Sequence, residues 1–253
     1  MLRTRVIPCL LLRNGGLVKT VKFGEAKYVG DPINAVKIFN EKEVDELVFL
    51  DITATAASRG PNFELIRDIA TEAFMPFGYG GGITTIDQVA SLVALGVEKV
   101  VLNTSVVERP EFIREAANLV GSSSVVVSID VKRSLLGRYE VVTRNAGRKS
   151  GLDPIEWARR AADLGAGEVL LTSVDRDGTQ KGYDLALLRQ VTEAVSIPVI
   201  ASGGAGSLDD FRAAVQEAGA SAVAAGSLFV FHGKHRAVLI TYPDYRELEK
   251  VFG

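Results

Sequence analysis

Two stretches decide how this chain reads: Pro76-Phe77-Gly78-Tyr79-Gly80-Gly81-Gly82-Ile83 and Pro198-Val199-Ile200-Ala201-Ser202-Gly203-Gly204-Ala205. Each runs from a proline through a short apolar segment into paired glycines, and the second repeats the first 122 positions later. The same shift carries Asp31-Pro32-Ile33 onto Asp153-Pro154-Ile155 and Glu46 onto Glu168. Such a period indicates a duplicated structural unit. The expected halves are approximately 1–122 and 123–253 of one 253-residue domain, with no linker or low-complexity segment between them.

Working outward from the repeat, short β-branched runs at 5–12, 46–52, 76–80, 98–103, 124–131, 168–173, 198–202 and 221–225 read as strands. Amphipathic stretches at 31–43, 62–73, 85–95, 110–120, 154–164, 185–195 and 208–218 read as the helices between them. Near-continuous apolar strands alternating with helices mean parallel strands covered on their outer face. An open doubly wound sheet is the competing architecture. Two superposable halves of four βα units favour the closed form, an α/β fold of the single (β/α)8 TIM-barrel type built from two half-barrels. The polar segment 132–151 is expected to form a hairpin insert after the fifth strand, and Trp157 is expected in the helix packing.

Composition narrows the partners. A net charge of −2 argues against nucleic acid. No apolar run approaches the ~18 residues of a membrane span, and the apolar run before Arg13 is too short for the start to be expected to act as a secretory signal. A single cysteine, Cys9, leaves no internal disulfide, which fits a cytoplasmic protein. Nothing in the motifs calls for a cofactor or a metal. His232 and His235, the two histidines, read as surface or contact residues without a ligand cluster around them.

In a barrel of this type chemistry sits at the C-terminal ends of the strands. Gly81 and Gly82 fall there, followed one strand later by Asn103 and Thr104. Gly203 and Gly204 fall at the matching place in the second half, followed by Gly226 and Ser227. Glycines let backbone N–H groups approach an anion closely, so two cradles on one mouth predict a ligand phosphorylated at both ends. Lys19, in the long loop expected after the first strand, reads either as a reach over one phosphate or as an exposed loop lysine. Asp130 ends the fifth strand and is the candidate general acid or base. Asp51, Thr172 and the run Asp175-Arg176-Asp177 add polar groups to the rim, and that run reads alternatively as a loop braced by its own ion pairs. Leu11 stands in the first half where Asp130 stands in the second, so no acid pair spans the mouth at those positions. Arg5, Glu46, Lys99 and Glu168 begin four strands at the opposite end, and their charges balance as a stabilising plug or as a gate over a passage.

Val48-Phe49-Leu50-Asp51-Ile52-Thr53, Gly80-Gly81-Gly82-Ile83, Leu171-Thr172-Ser173-Val174-Asp175-Arg176-Asp177-Gly178-Thr179 and Ala201-Ser202-Gly203-Gly204-Ala205-Gly206 resemble the cyclase subunit family of imidazole glycerol phosphate synthase. The resemblance runs over roughly residues 1–230. It implies a lyase of histidine biosynthesis whose barrel docks a glutaminase subunit at its N-terminal face. It implies that ammonia crosses the barrel to a bis-phosphorylated ribulosyl aminoimidazole carboxamide, which is cyclised and cleaved to imidazole glycerol phosphate and an aminoimidazole carboxamide ribonucleotide. It assigns Arg5, Glu46, Lys99 and Glu168 to the ammonia gate, and Asp130 to one of two catalytic aspartates. Leu11 occupies the position of the other. That departure, and the tail Phe229-Val230-Phe231-His232-Gly233-Lys234-His235-Arg236-Ala237-Val238, are similar to a paralogue branch associated with acetamidino-sugar formation for surface polysaccharides such as lipopolysaccharide. There the barrel and its glutaminase are thought to serve a sugar amidotransferase. Losing a general acid removes ~10²–10⁴-fold in rate, so the expectation is weak or absent cyclase activity with anion sites, passage and docking retained. The alternatives are an active cyclase in which Asp51 or Asp177 replaces the lost acid, and a non-catalytic scaffold that activates the glutaminase.

Overall fold

The computed structural model describes residues 4–134, 136–233 and 235–253. Its eight barrel strands are β1 (Arg5–Arg13), β2 (Leu47–Asp51), β3 (Phe77–Gly80), β4 (Lys99–Leu102), β5 (Val125–Arg133), β6 (Glu168–Ser173), β7 (Val199–Ser202) and β8 (Ala222–Ala225). Each pairs in parallel with the next, and β8 returns to β1 through Arg5 opposite Ala222 and Ile7 opposite Ala224. The sheet is therefore closed, and the open doubly wound alternative falls.

The outer helices are α1 (Pro32–Glu41), α2 (Phe63–Glu72), α3 (Ile86–Ala94), α4 (Glu111–Val120), α5 (Pro154–Asp163), α6 (Leu185–Thr192), α7 (Leu208–Gln216) and α8 (Tyr245–Phe252). Their starts follow from local chemistry. Asp31 accepts from Asn34 N–H ahead of Pro32, and Asp153 accepts from Ile155 and Glu156 N–H ahead of Pro154, side-chain caps that satisfy orphan donors of the first turn. Thr85 with Gln88 and Ser207 with Asp210 form capping boxes at α3 and α7, and these too lie 122 positions apart. Trp157 is buried on α5, as expected.

Alternation along the strands sorts side chains between two cores. One lies between sheet and helices and holds Phe39, Phe49, Tyr79, Phe112 and Phe211. The other fills the barrel interior with Ile7, Cys9, Val48, Val101, Val126, Leu170, Ile200, Ala222 and Ala224. The period of two therefore carries β1 inward at Arg5, Ile7, Cys9 and Leu11, and β6 inward at Glu168, Leu170 and Thr172.

Strands β1 and β5 are each nine residues long and run past the barrel into antiparallel hairpins. Beyond β1, strand Gly16–Lys19 pairs back onto it, and strand Lys27–Gly30 pairs in turn with Gly16–Lys19. Beyond β5, Tyr139–Thr143 and Arg148–Lys149 form the expected insert. The tail adds a two-stranded ribbon, Phe231–His232 with Ala237–Val238; Lys234 within it lies outside the described residues. None of the described helices is long and apolar enough to cross a membrane.

Candidate functional site

A cavity of about 490 Å³ opens at the C-terminal ends of the strands. Its wall includes Leu11, Lys19, Asp51, Gly81, Gly82, Asn103, Thr104, Asp130, Thr172, Asp177, Gly203, Gly204, Gly226 and Ser227, all nominated by the sequence for this face, but not Asp175 or Arg176. The paired glycines follow β3 and β7 and all adopt positive φ. Close packing explains why glycine is needed. A β-carbon at Gly82 would lie 2.4 Å from the Arg59 carbonyl, and one at Gly204 would lie 2.2 Å from the Gly182 carbonyl. Bare backbone thus faces the cavity on two sides.

Asp130, on β5, sits at the floor. Burial and the nearby charge of Asp177 push its carboxyl up to about 7, against hydrogen bonds from Asn103, Ser128 and Thr172. Asn103 donates to Asp130 Oδ2 at 3.1 Å and to the Ser128 carbonyl at 3.0 Å. Such a carboxyl can hold or release a proton near neutrality. Leu11, on β1, presents a hydrocarbon side chain to the same cavity.

Lys19 is neither in a loop nor exposed, which corrects the sequence expectation. It ends the hairpin strand Gly16–Lys19 and is buried at 7% exposure. Its ammonium donates to the Cys9 carbonyl at 2.6 Å and lies against Gly226, where a β-carbon would collide with it. Burial lowers the Lys19 pKa, while Cys9 and Asp177 oppose that shift. Burial also raises the Asp177 pKa, and Asp177 accepts from the Thr20 hydroxyl at 3.2 Å. Burial pushes the Cys9 thiol up to about 11.

The acidic run after β6 is divided. Asp177 faces the mouth, but Asp175 turns away to accept from Arg133 N–H at 2.7 Å beside a separate surface groove. Arg176 donates to the Lys181 carbonyl at 3.0 Å, so hydrogen bonds to neighbouring backbone hold this run in place of ion pairs within it. Asp51 lines the cavity while its Oδ1 accepts from Thr53 N–H, the Thr53 hydroxyl and Ala54 N–H, so one of its oxygens is committed to capping the loop. Arg59, Arg144 and Asn145 also line the mouth; the sequence reading missed them because polar loop residues look alike before the chain is folded. His232 and His235 are exposed, and among the described residues they join no metal-ligating cluster.

At the other end of the barrel four charges close into a ring. Arg5 donates to Glu46 Oε2 at 2.5 Å and to Glu168 Oε1 at 2.6 Å, and Lys99 Nζ lies 3.1 Å from Glu46 and 2.9 Å from Glu168. Burial alone would lower the Arg5 guanidinium, but Glu46 and Glu168 hold it above its ordinary value. The second oxygen of Glu46 is buried with no partner among the described residues. From Lys99 to Asn103, or from Glu168 to Thr172, is four residues of strand, roughly 13 Å, so ring and mouth are the two ends of one apolar-lined interior.

Fold and cavity together define a (β/α)8 barrel with paired glycine cradles on one mouth. A profile described as "Histidine biosynthesis protein" matches residues 5–236, and the chain belongs to that family. It is 54% identical over 249 residues to a Pseudomonas aeruginosa protein provisionally named imidazole glycerol phosphate synthase subunit hisF2, covering 98% of this chain and 99% of the relative. It is 48% identical over 230 residues to imidazole glycerol phosphate synthase subunit HisF of Streptomyces coelicolor, covering 91% of each chain. Against the protein of the same name from Alkaliphilus metalliredigens it is 46% identical over 232 residues, 92% of each.

Proposed function

We propose that this chain is a cyclase-type barrel subunit of the imidazole glycerol phosphate synthase kind, one whose cyclase chemistry is reduced by Leu11. The observation that carries the reading is one cavity holding both glycine cradles with a single strand-end carboxyl, Asp130, between them. Gly81, Gly82, Asn103 and Thr104 bind one phosphate of a bis-phosphorylated ligand; Gly203, Gly204, Gly226 and Ser227 bind the other. Lys19, against Gly226, reaches over that second phosphate, and Asp51, Thr172 and Asp177 hold the part between.

Arg5, Glu46, Lys99 and Glu168 act as the gate through which ammonia enters from a glutaminase docked on the N-terminal face. The apolar interior behind the ring suits a small neutral molecule. A cytoplasmic paralogue formed from half-barrels 1–122 and 123–253, supplying a sugar amidotransferase in acetamidino-sugar formation, accounts for the retained ends and the missing acid. Calorimetry with the bis-phosphorylated ribulosyl aminoimidazole carboxamide tests the core of this. One-to-one binding is expected, and its absence refutes the reading. With the glutaminase present, Lys99 or Arg5 variants are expected to hydrolyse glutamine without coupled transfer.

A second reading rests on Asp177, whose charge reaches Asp130. It makes the chain an active cyclase in which Asp177 replaces the lost acid, and normal turnover with ammonium salts would establish it.

A further inference from the structure

The insert after β5 ends in a conformation that the barrel itself does not need. Arg144, Asn145 and Ala146 have φ of 54°, 57° and 59°. Three successive non-glycine residues in the left-handed region are unfavourable at each position. Such conformations persist where surrounding contacts fix them, and they gather at ligand clamps.

The contacts here lead into the mouth. Arg144 N–H donates to the Thr104 hydroxyl at 3.2 Å, which ties the hairpin tip to the first cradle. The Arg144 guanidinium pairs with Glu108 Oε1 at 2.9 Å, and Arg148 reaches the same oxygen at 3.2 Å. Arg144, Asn145, Glu108 and Thr104 all line the cavity, whereas Arg148 does not. A guanidinium and the carboxylate that restrains it therefore both face the space beside Asn103 and Thr104.

The restraint is weak. Arg144 is 42% and Glu108 44% exposed in their side chains, and exposed ion pairs contribute little. A phosphate dianion is a stronger partner, since it offers paired oxygens matching the guanidinium fork. Arg148 is already in place to keep Glu108 paired when Arg144 leaves.

We propose that Arg144 is a phosphate-recognition residue of the first cradle, withheld by Glu108 and handed to the phosphate of an incoming bis-phosphorylated ligand. This rests on the reading of the glycine cradles as phosphate sites. It makes the hairpin tip a specificity element: a ligand lacking that phosphate leaves Arg144 on Glu108.

The test is calorimetric titration of the bis-phosphorylated ribulosyl aminoimidazole carboxamide into wild type, Arg144→Ala, Glu108→Gln and Arg148→Ala, with thermal unfolding to verify the fold. Arg144→Ala should bind at least about tenfold more weakly. Glu108→Gln should bind more tightly, by up to about fivefold, and Arg148→Ala should stay within about twofold of wild type. No binding by wild type sinks the phosphate reading itself. Binding by wild type with Arg144→Ala unchanged, with no gain in Glu108→Gln, or with an equal loss in Arg148→Ala overturns this proposal alone.

Discussion

Replacing Lys99 by methionine tests whether the ring at the barrel bottom acts as one buried unit. In the folded chain Lys99 lies 3.1 Å from Glu46 and 2.9 Å from Glu168, and side-chain exposure is 16%, 4% and 12% respectively. Among the described residues, the substitution leaves two carboxylates sharing the cation of Arg5, with one Glu46 oxygen already unpartnered. Breaking a buried ion pair from one side removes about 3–5 kcal/mol. Partial exposure of Lys99 and Glu168 places this case at the lower end, near ~3 kcal/mol. For a domain of this size that lowers the melting temperature by about 6–12 °C. Adding Glu46→Gln restores charge balance between Arg5 and Glu168, so the double variant should recover more than half of the loss. Urea and thermal unfolding of wild type, both single variants and the double variant supply the cycle. A Lys99→Met protein within about 1 kcal/mol of wild type, or additive losses in the double variant, refutes the idea that the ring is buried and mutually dependent.

Other expectations follow from the mouth. Asp130 has its carboxyl raised to about 7 from an ordinary 3.8, so the folded chain holds this proton more tightly than the unfolded chain. Stability is therefore lost as pH rises from about 4 to about 7. Because Asp130 faces the open cavity, solvent reduces the effect to ~2 kcal/mol. Asp130→Asn should be more stable than wild type by that amount at pH ~8, with the difference gone by pH ~4; a difference independent of pH contradicts this. Gly204→Ala forces a β-carbon to 2.2 Å from the Gly182 carbonyl at φ +124°. It should lose at least about 1–3 kcal/mol and weaken phosphate binding, and a fully stable variant with wild-type binding would show that the turn has no such constraint.

The barrel was legible because strands buried on both faces read as uninterrupted apolar runs, and because Gly81-Gly82 and Gly203-Gly204 repeat at a fixed distance. Where β1 and β5 leave the barrel that signal fades. Arg13, Lys132 and Arg133 belong to strands, yet they are exposed and polar because only a hairpin partner covers them. Helix α8 escaped notice since it buries just Leu248 and Val251, although its capping box, Asp244 with Glu247, stands in the sequence. The burial of Lys19 was not legible either. It depends on the hairpin folding back over β1 to meet Gly226, a contact between residues 207 positions apart. Arg59 and Arg144 reach the mouth only through loop conformations that no periodicity encodes.

The asymmetry between Asp130 and Leu11 decides what the mouth can do. The direct measurement is turnover of the bis-phosphorylated ribulosyl aminoimidazole carboxamide with ammonium salts, comparing wild type with Leu11→Asp. Wild type should bind this compound but turn it over slowly or not at all, and Leu11→Asp should gain rate, up to the ~10²–10⁴-fold that a positioned general acid supplies. Full cyclase activity in wild type, unchanged by Leu11→Asp, would contradict the account.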